Sequence, residues 1–383
     1  MTSMTMTSDW TTGIAGTMRA MVLTGHGGLD KLVLRDVPRP RPGRGEVLIK
    51  VGACGVNNTE INTRTAWYDR AVNASVSVEL GLYGLDSSTG TSDAETIASW
   101  NSSTVAFPRI QGAAIAGRIV EVGSGVDTGR LGQRVLIDPQ VRNLNLPLRA
   151  QLVAYIGSER DGGFAEHVAV PAENAHVIHS SLSDAELATF PCSYDTAEEM
   201  LERARLARGE TIVITGAAGG VGTALIQLSL IRGARVVAIA GAAKEARIRA
   251  LGAHEFVARE SGNVRLAVEK LVGEQSVDVA ADVVGGAVFG QLLKLLRRGG
   301  RYMTAGAIAG PVQPMDLRDL IYKDLEMHGV TCPTPGAFAR VVGCIQSGQL
   351  RPLVEKIFPL AELPQAQAEF LKREHFGKFV IVP

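Results

Sequence analysis

Between Thr211 and Ala240 the chain switches twice between hydrophobic rhythms. Thr211 to Thr215 is a short β-branched run, apolar residues recur at helical spacing after Gly220, and Arg235 to Ala240 is again continuously apolar after Gly233. Short continuous apolar runs are the pattern of buried strands, and the segment between them that of an amphipathic helix, so the stretch predicts one βαβ unit. Further strand-like runs follow at Val277 to Asp282, Arg301 to Ala305 and Glu326 to Thr331, before a Pro-rich turn at Cys332 to Pro335. Together they predict an open parallel sheet.

The N-terminal part has a different rhythm. Residues 1–17 are polar and aperiodic and read as a disordered tail. Met18 to Leu23 is strand-like, and apolar and polar residues alternate in Leu32 to Val37 and Glu46 to Ala53, on either side of the turn PRPRPGRG. With Gly112 to Val122, Arg134 to Ile137 and Phe164 to Val170 they predict a small antiparallel, barrel-like domain. Arg118, Glu121 and Arg134 on these strands read as solvated faces. Residues 69–107 break the rhythm with a Ser/Thr/Gly/Asn/Asp-rich insertion whose larger apolar residues are Leu82, Tyr83, Leu85 and Trp100. Two readings stay open for it, a tolerated surface insertion and a lid over an active site. After a junction near His176, Ser183 to Leu206 is helix-forming. Leu350 to Pro359 and Phe376 to Val382 alternate like the N-terminal strands, with a helical pattern from Leu363 to Lys372 between them. The expected organisation is therefore 18–176 for the barrel-like domain, 177–335 for the parallel sheet, and 336–383 returning to complete the first domain.

Composition narrows the partners. The 383 residues carry 39 Lys plus Arg against 39 Asp plus Glu, with no basic block, so nothing points to nucleic acid or to an anionic membrane. No apolar run reaches membrane-spanning length and no export signal opens the chain, which predicts a cytoplasmic protein with a small-molecule substrate. Cys54, Cys192, Cys332 and Cys344 lack C-x-x-C spacing and are expected to be reduced and mostly buried. The seven histidines show no spacing that pairs with a cysteine or carboxylate.

The chemistry starts at the turn Gly216, Ala218, Gly219, Gly220, Val221 and Gly222, where a strand opens into a helix. Its glycines let the backbone lie close to a ligand, and the helix N-terminus attracts a diphosphate, so a dinucleotide in a Rossmann-type fold is the expected occupant. At the end of the next strand stands Ala240-Gly241-Ala242, with no Asp or Glu to bind a ribose 2′-hydroxyl or repel a phosphate. Lys244 and Arg259 are placed to reach a 2′-phosphate, which favours NADPH; the alternative is that they are ordinary solvated charges, and Arg247 and Arg249 are lesser candidates.

GETIVITGAAGGVGTALIQLS, GRIVEVGSGVDTGRLGQRV, DGGFAEHVAV and the terminal GKFVIVP together resemble the medium-chain dehydrogenase/reductase superfamily, in its quinone oxidoreductase and enoyl reductase branch. The resemblance spans 18–383 apart from the insertion. It implies an α/β protein: a GroES-like β-barrel catalytic domain plus a Rossmann-type doubly wound parallel sheet, a cleft between them, Thr196 and Gly306 beside the cofactor, and a homodimer paired near Glu326 to Thr331. Zinc members of the superfamily place a cysteine after Gly-Val and a Gly-His-Glu further on. Here Asn57 follows Gly55-Val56, and Gly112-Ala113-Ala114 replaces the second motif, which with Cys192 alone predicts no metal. The run VNNTEINTRTAWY resembles the segment of 2-enoyl thioester reductases that supplies an active-site asparagine and a proton-donating tyrosine. That match implies that Asn57 lines the nicotinamide site and Tyr68 is the acid, the other reading being that Trp67 and Tyr68 are a packed aromatic pair. The expected function is a zinc-independent, NADPH-dependent reductase of a conjugated C=C or a quinone. The alternatives are an NADP-dependent carbonyl or alcohol oxidoreductase and a non-catalytic NADPH-binding protein.

Overall fold

The computed structural model describes residues 16–84, 105–147 and 150–383. Six strands form an all-parallel sheet in the spatial order Glu255–Ala258, Arg235–Ala240, Thr211–Ile214, Val277–Asp282, Leu296–Thr304, Glu326–Gly329. In chain order this is 3-2-1-4-5-6, the doubly wound arrangement, and ligands bind such sheets where the order reverses. The reversal lies between Thr211–Ile214 and Val277–Asp282. Buried Asp282 pins it: its Oδ1 accepts from Thr215 Oγ1 at 2.5 Å and from the Val284 and Gly285 amides at 3.0 Å, and its Oδ2 accepts from Tyr302 at 2.7 Å.

The helix after the glycine turn, Gly220–Ile231, begins where expected but is not amphipathic. Gly222 through Ser229 are buried without a break. The helix is covered by the sheet on one side and by the helix Ser193–Arg203 on the other, so water reaches it only at its ends, as at exposed Ile231. The expected helix from Ser183 to Leu206 is likewise two pieces, Asp184–Leu187 and Ser193–Arg203, separated at Cys192, whose φ of 68° no helix accommodates.

A second sheet has the order Ala175–Val177, Arg134–Ile137, Ala114–Val122, Glu46–Gly55, Lys378–Val382, Val354–Pro359, with His167–Pro171 also on Glu46–Gly55. Leu32–Pro38 does not pair with Glu46–Gly55 across the Pro-rich turn. It joins Thr17–Leu23 and Arg109–Ile110 in a separate three-stranded sheet. The C-terminal strands do not alternate as an antiparallel pair; Val354–Pro359 and Lys378–Val382 run parallel, because the helix Leu363–Leu371 carries the chain back between them. Arg134 is not simply solvated, since it pairs with Asp184 at 2.5 Å and donates to Ser180 O at 3.1 Å.

Part of the expected tail and the centre of the insertion, including Leu85 and Trp100, lie outside the described residues. Thr17, placed in the tail by the sequence reading, is already in a strand. The N-terminal flank of the insertion contains a helix that no periodicity announced, Val78–Tyr83. Fully buried Arg64 holds it, donating at 2.7 Å to Gly81 O, at 2.8 Å to Gly27 O and at 3.0 Å to Gln367 Oε1. Val76 N donates at 2.8 Å to Ile308 O, beyond the end of the parallel sheet. Leu82 packs partly buried against the barrel core, whereas Tyr83 is exposed.

Candidate active site

The glycine turn is built for close approach. A Cβ on Gly222 would sit 2.1 Å from Gly216 O, and one on Gly216, whose φ is 57°, would meet Val283 and Val284 at 2.9 Å. Only glycine allows the first helical turn to sit against the strand end with its amides facing outward, the cradle a diphosphate requires. The C-terminal strand is clamped onto this turn: Gly377 N donates to Ala218 O at 2.9 Å, and a Cβ on Gly220 would touch Ser193 Oγ at 2.7 Å and Lys378 Cδ at 2.8 Å. These groups fit a dinucleotide. Thr196, in the first turn of Ser193–Arg203, donates to Cys192 O at 2.6 Å, and Gly306 lies in the loop after Leu296–Thr304, where a Cβ would strike Val283 O at 2.6 Å.

At the adenosine end the sequence reading needs a correction. Arg259 is there but exposed, and it pairs with Glu260 at 2.8 Å. Glu260 Oε2 in turn accepts from Ala242 N at 3.2 Å, so a carboxylate does stand at the end of the strand Arg235–Ala240. It arrives from the neighbouring strand, which no reading of Ala240-Gly241-Ala242 could reveal. Lys244 is half-buried in the following turn and close enough to His375 to lower that imidazole's pKa, after burial, to about 4. Arg247 and Arg249 are engaged with Glu355 and Glu245. Arg373, which the sequence reading passed over, donates to Val76 O and lies within electrostatic reach of Arg259.

Asn57 and Tyr68 flank the helix Asn58–Arg64. Glu60, buried on that helix, accepts from Asn57 N at 2.7 Å, from Asn57 Nδ2 at 3.3 Å and from Ala113 N at 3.2 Å. The two places where metal-using relatives carry ligands, represented here by Asn57 and Ala113, thus converge on one carboxylate. Lys378 completes the cluster: its ammonium donates to Asn57 Oδ1 and, at 3.0 Å, to Ser193 Oγ, all of them buried. Burial pushes the Glu60 carboxyl up and the Lys378 ammonium down, each opposed by the charge of the other. This donor set does not fit zinc. Asn57 is a poor ligand, Ala113 has no donor, an ammonium occupies the neighbourhood, and of the two nearby thiols Cys54 is held protonated by burial while Cys192 accepts a hydrogen bond from Tyr155 at 3.3 Å. Among the described residues no three His, Cys, Asp or Glu side chains are grouped to hold a metal ion.

Tyr68 is half-buried, with Thr59 and Asn62 against its phenol, and burial raises its pKa, so it keeps its proton at neutral pH. Its ring packs edge-on against Trp67, centroids 5.9 Å apart, so the aromatic pair exists whatever the phenol does. Sequence reasoning missed Glu60, Ser193, Lys378 and Tyr155; a buried-looking Glu three residues after Asn57, in a capping pattern, was the one local signal available. The cysteines form no disulfide among the described residues, but only Cys54 is buried, the other three being half-buried.

Residues 43–180 match the alcohol dehydrogenase GroES-like domain family and residues 220–347 the zinc-binding dehydrogenase family. A Sinorhizobium meliloti 1021 protein assigned as an alcohol dehydrogenase is 48% identical, with 97% of this chain and 98% of that one covered and a TM-score of 0.86. The quinone oxidoreductase of Rattus norvegicus is 26% identical over 95% of this chain and 98% of its own length. The acryloyl-coenzyme A reductase of Metallosphaera sedula is also 26% identical, over 95% and 99%. The chain belongs to the medium-chain dehydrogenase/reductase superfamily, in its quinone oxidoreductase and enoyl reductase branch, and is an oxidoreductase. No helix among the described residues is long and apolar enough to cross a membrane.

Proposed function

We propose that this protein is an NADPH-dependent, zinc-independent reductase that delivers hydride to a C=C conjugated to a carbonyl, in an enone or enoyl thioester, or to a quinone. The observation that carries the reading is the buried Lys378–Asn57–Glu60 cluster standing where metal-using relatives need ligands, with a protonated phenol at Tyr68 just beyond the helix that Asn57 caps. Bound NADPH would supply the hydride, held by the Gly216–Gly222 turn, with Lys244, Arg259 and Arg373 toward the 2′-phosphate. Asn57, fixed by Glu60 and Lys378, would line the nicotinamide site. Hydride arriving at the β-carbon leaves an enolate, and Tyr68 would return a proton to the α-carbon. The clamped segment 76–84 supports a lid reading of the insertion, because it bonds both to Ile308 and to the helix carrying Asn57. The edge strand Glu326–Gly329 is the expected face of a homodimer.

The test is Tyr68→Phe on an NADPH-oxidation screen of enones, enoyl thioesters and quinones. It should lower kcat on the C=C acceptors by about 10²–10⁴-fold, with NADPH affinity kept and quinones hurt less. Wild-type turnover in the variant would remove Tyr68 from the mechanism. The 48% identical relative's assignment favours a second reading, a carbonyl or alcohol oxidoreductase. Product identification separates the two: a saturated ketone from an enone supports the first, an allylic alcohol the second.

A further inference from the structure

Tyr155 has no part in the reaction as described, yet the chain goes out of its way to place it. It ends the hairpin Gln140–Arg142 with Leu152–Tyr155, a two-stranded sheet that belongs to neither large sheet. The hairpin is pinned on several sides: Arg142 pairs with Asp138 at 2.7 Å and donates to Pro333 O at 2.8 Å, and Ile156 N donates to Pro139 O at 2.8 Å. The Tyr155 ring is 8% exposed, and its hydroxyl donates to Cys192 Sγ at 3.3 Å. Cys192 adjoins Ser193, which accepts from Lys378, which donates to Asn57. The phenol is therefore one short chain of contacts from the candidate reaction centre. Cys192 also acts electrostatically on Tyr68, so both phenols face the neighbourhood of the same thiol.

A thiol sulfur is a weak hydrogen-bond acceptor, and an oxygen that carries developing negative charge is a strong one. A buried phenol spending its proton on sulfur keeps most of its donor strength for a better acceptor. We propose that Tyr155 is the oxygen-side donor of the active site, binding the carbonyl oxygen of a conjugated acceptor while Tyr68 serves the α-carbon. The proposal rests on the C=C reduction proposed above. As the new C–H bond forms at the β-carbon, the C=C pair becomes a π bond between the α-carbon and the carbonyl carbon, and the carbonyl pair moves onto oxygen. Tyr155 donates a hydrogen bond to that oxygen without giving up its proton. The proton is then transferred from Tyr68 to the α-carbon, the C=O bond re-forms, and Tyr68 recovers a proton from water. Acceptors must accordingly present an oxygen conjugated to the reacting carbon, which an isolated alkene does not.

The experiment compares wild-type and Tyr155→Phe, as the full chain, in two measurements. One is turnover of cyclohex-2-enone with NADPH. The other is binding, in the presence of NADP⁺, of 4-nitrophenolate as a stable planar oxyanion and of nitrobenzene as its uncharged counterpart. Loss of an oxyanion donor should lower kcat about 100-fold. Affinity for 4-nitrophenolate should weaken about tenfold or more, with that for nitrobenzene and NADPH unchanged. Equal phenolate binding by both proteins, or wild-type kcat in the variant, overturns the proposal. If Tyr155→Phe does not fold, wild-type selectivity decides: 4-nitrophenolate bound no more tightly than nitrobenzene overturns it. A wild-type protein that reduces no enone, enoyl thioester or quinone would overturn the proposed function instead, because the phenolate comparison needs no turnover.

Discussion

Asp195 lies in the first turn of the helix Ser193–Arg203, 1% exposed, and its Oδ2 accepts from Gln140 Nε2 at 3.2 Å. Among the described residues no ion pair is formed with it, and another acid, Asp138, lies within electrostatic reach. Burial first and Asp138 second push its pKa from 3.8 up to about 7. Between about pH 4 and pH 7 the folded chain therefore holds a proton that the unfolded chain has lost, so this carboxyl's contribution to stability falls as pH rises through that window and is constant above it. Each pH unit is worth about 1.36 kcal/mol, which sets a ceiling of about 4 kcal/mol for the full window and about 3 kcal/mol between pH 5 and pH 8. Asp195→Asn keeps the shape and an acceptor for Gln140 while removing the charge. Urea unfolding of both proteins at pH 5 and pH 8 should show the variant gaining on wild-type by up to that 3 kcal/mol at the higher pH, with little gain at the lower. The same stability difference at both pH values, or a variant less stable than wild-type at pH 8, would refute the assignment of a strained, buried carboxyl.

Gly222→Ala places a methyl 2.1 Å from Gly216 O and should cost about 1–3 kcal/mol in thermal or urea unfolding, with dinucleotide affinity falling in parallel; unchanged affinity would show that the turn does not hold the cofactor. At the adenosine end Lys244→Ala should weaken NADPH about tenfold and leave NADH nearly unchanged. Glu260→Gln should improve NADPH relative to NADH by about threefold, since it removes a carboxylate that bonds Ala242 N, and titration by fluorescence reads both.

What the chain's own order determined is what depends on neighbours in sequence. The strand Thr211–Ile214, the glycine turn and the helix start at Gly220 were legible because period and turn chemistry act over a few residues. Asn57 and Tyr68 could be singled out as candidates in the same way, through a contiguous run, although that run says nothing of what meets them in the fold. Tertiary structure decided the rest. Lys378 reaches Asn57 across 321 positions only because Lys378–Val382 lies between Glu46–Gly55 and Val354–Pro359 in one particular register. A slip of one residue would turn its side chain to the opposite face of the sheet. Glu260 enters the end of a neighbouring strand, and Tyr155 meets Cys192 from a hairpin outside both large sheets. Residues 222–229 of the helix Gly220–Ile231 are buried all round because of what packs on them, not because of their own pattern. Such convergences are set by strand register and layer packing, which no local window of sequence contains, and they are what makes a dinucleotide fold into this particular site.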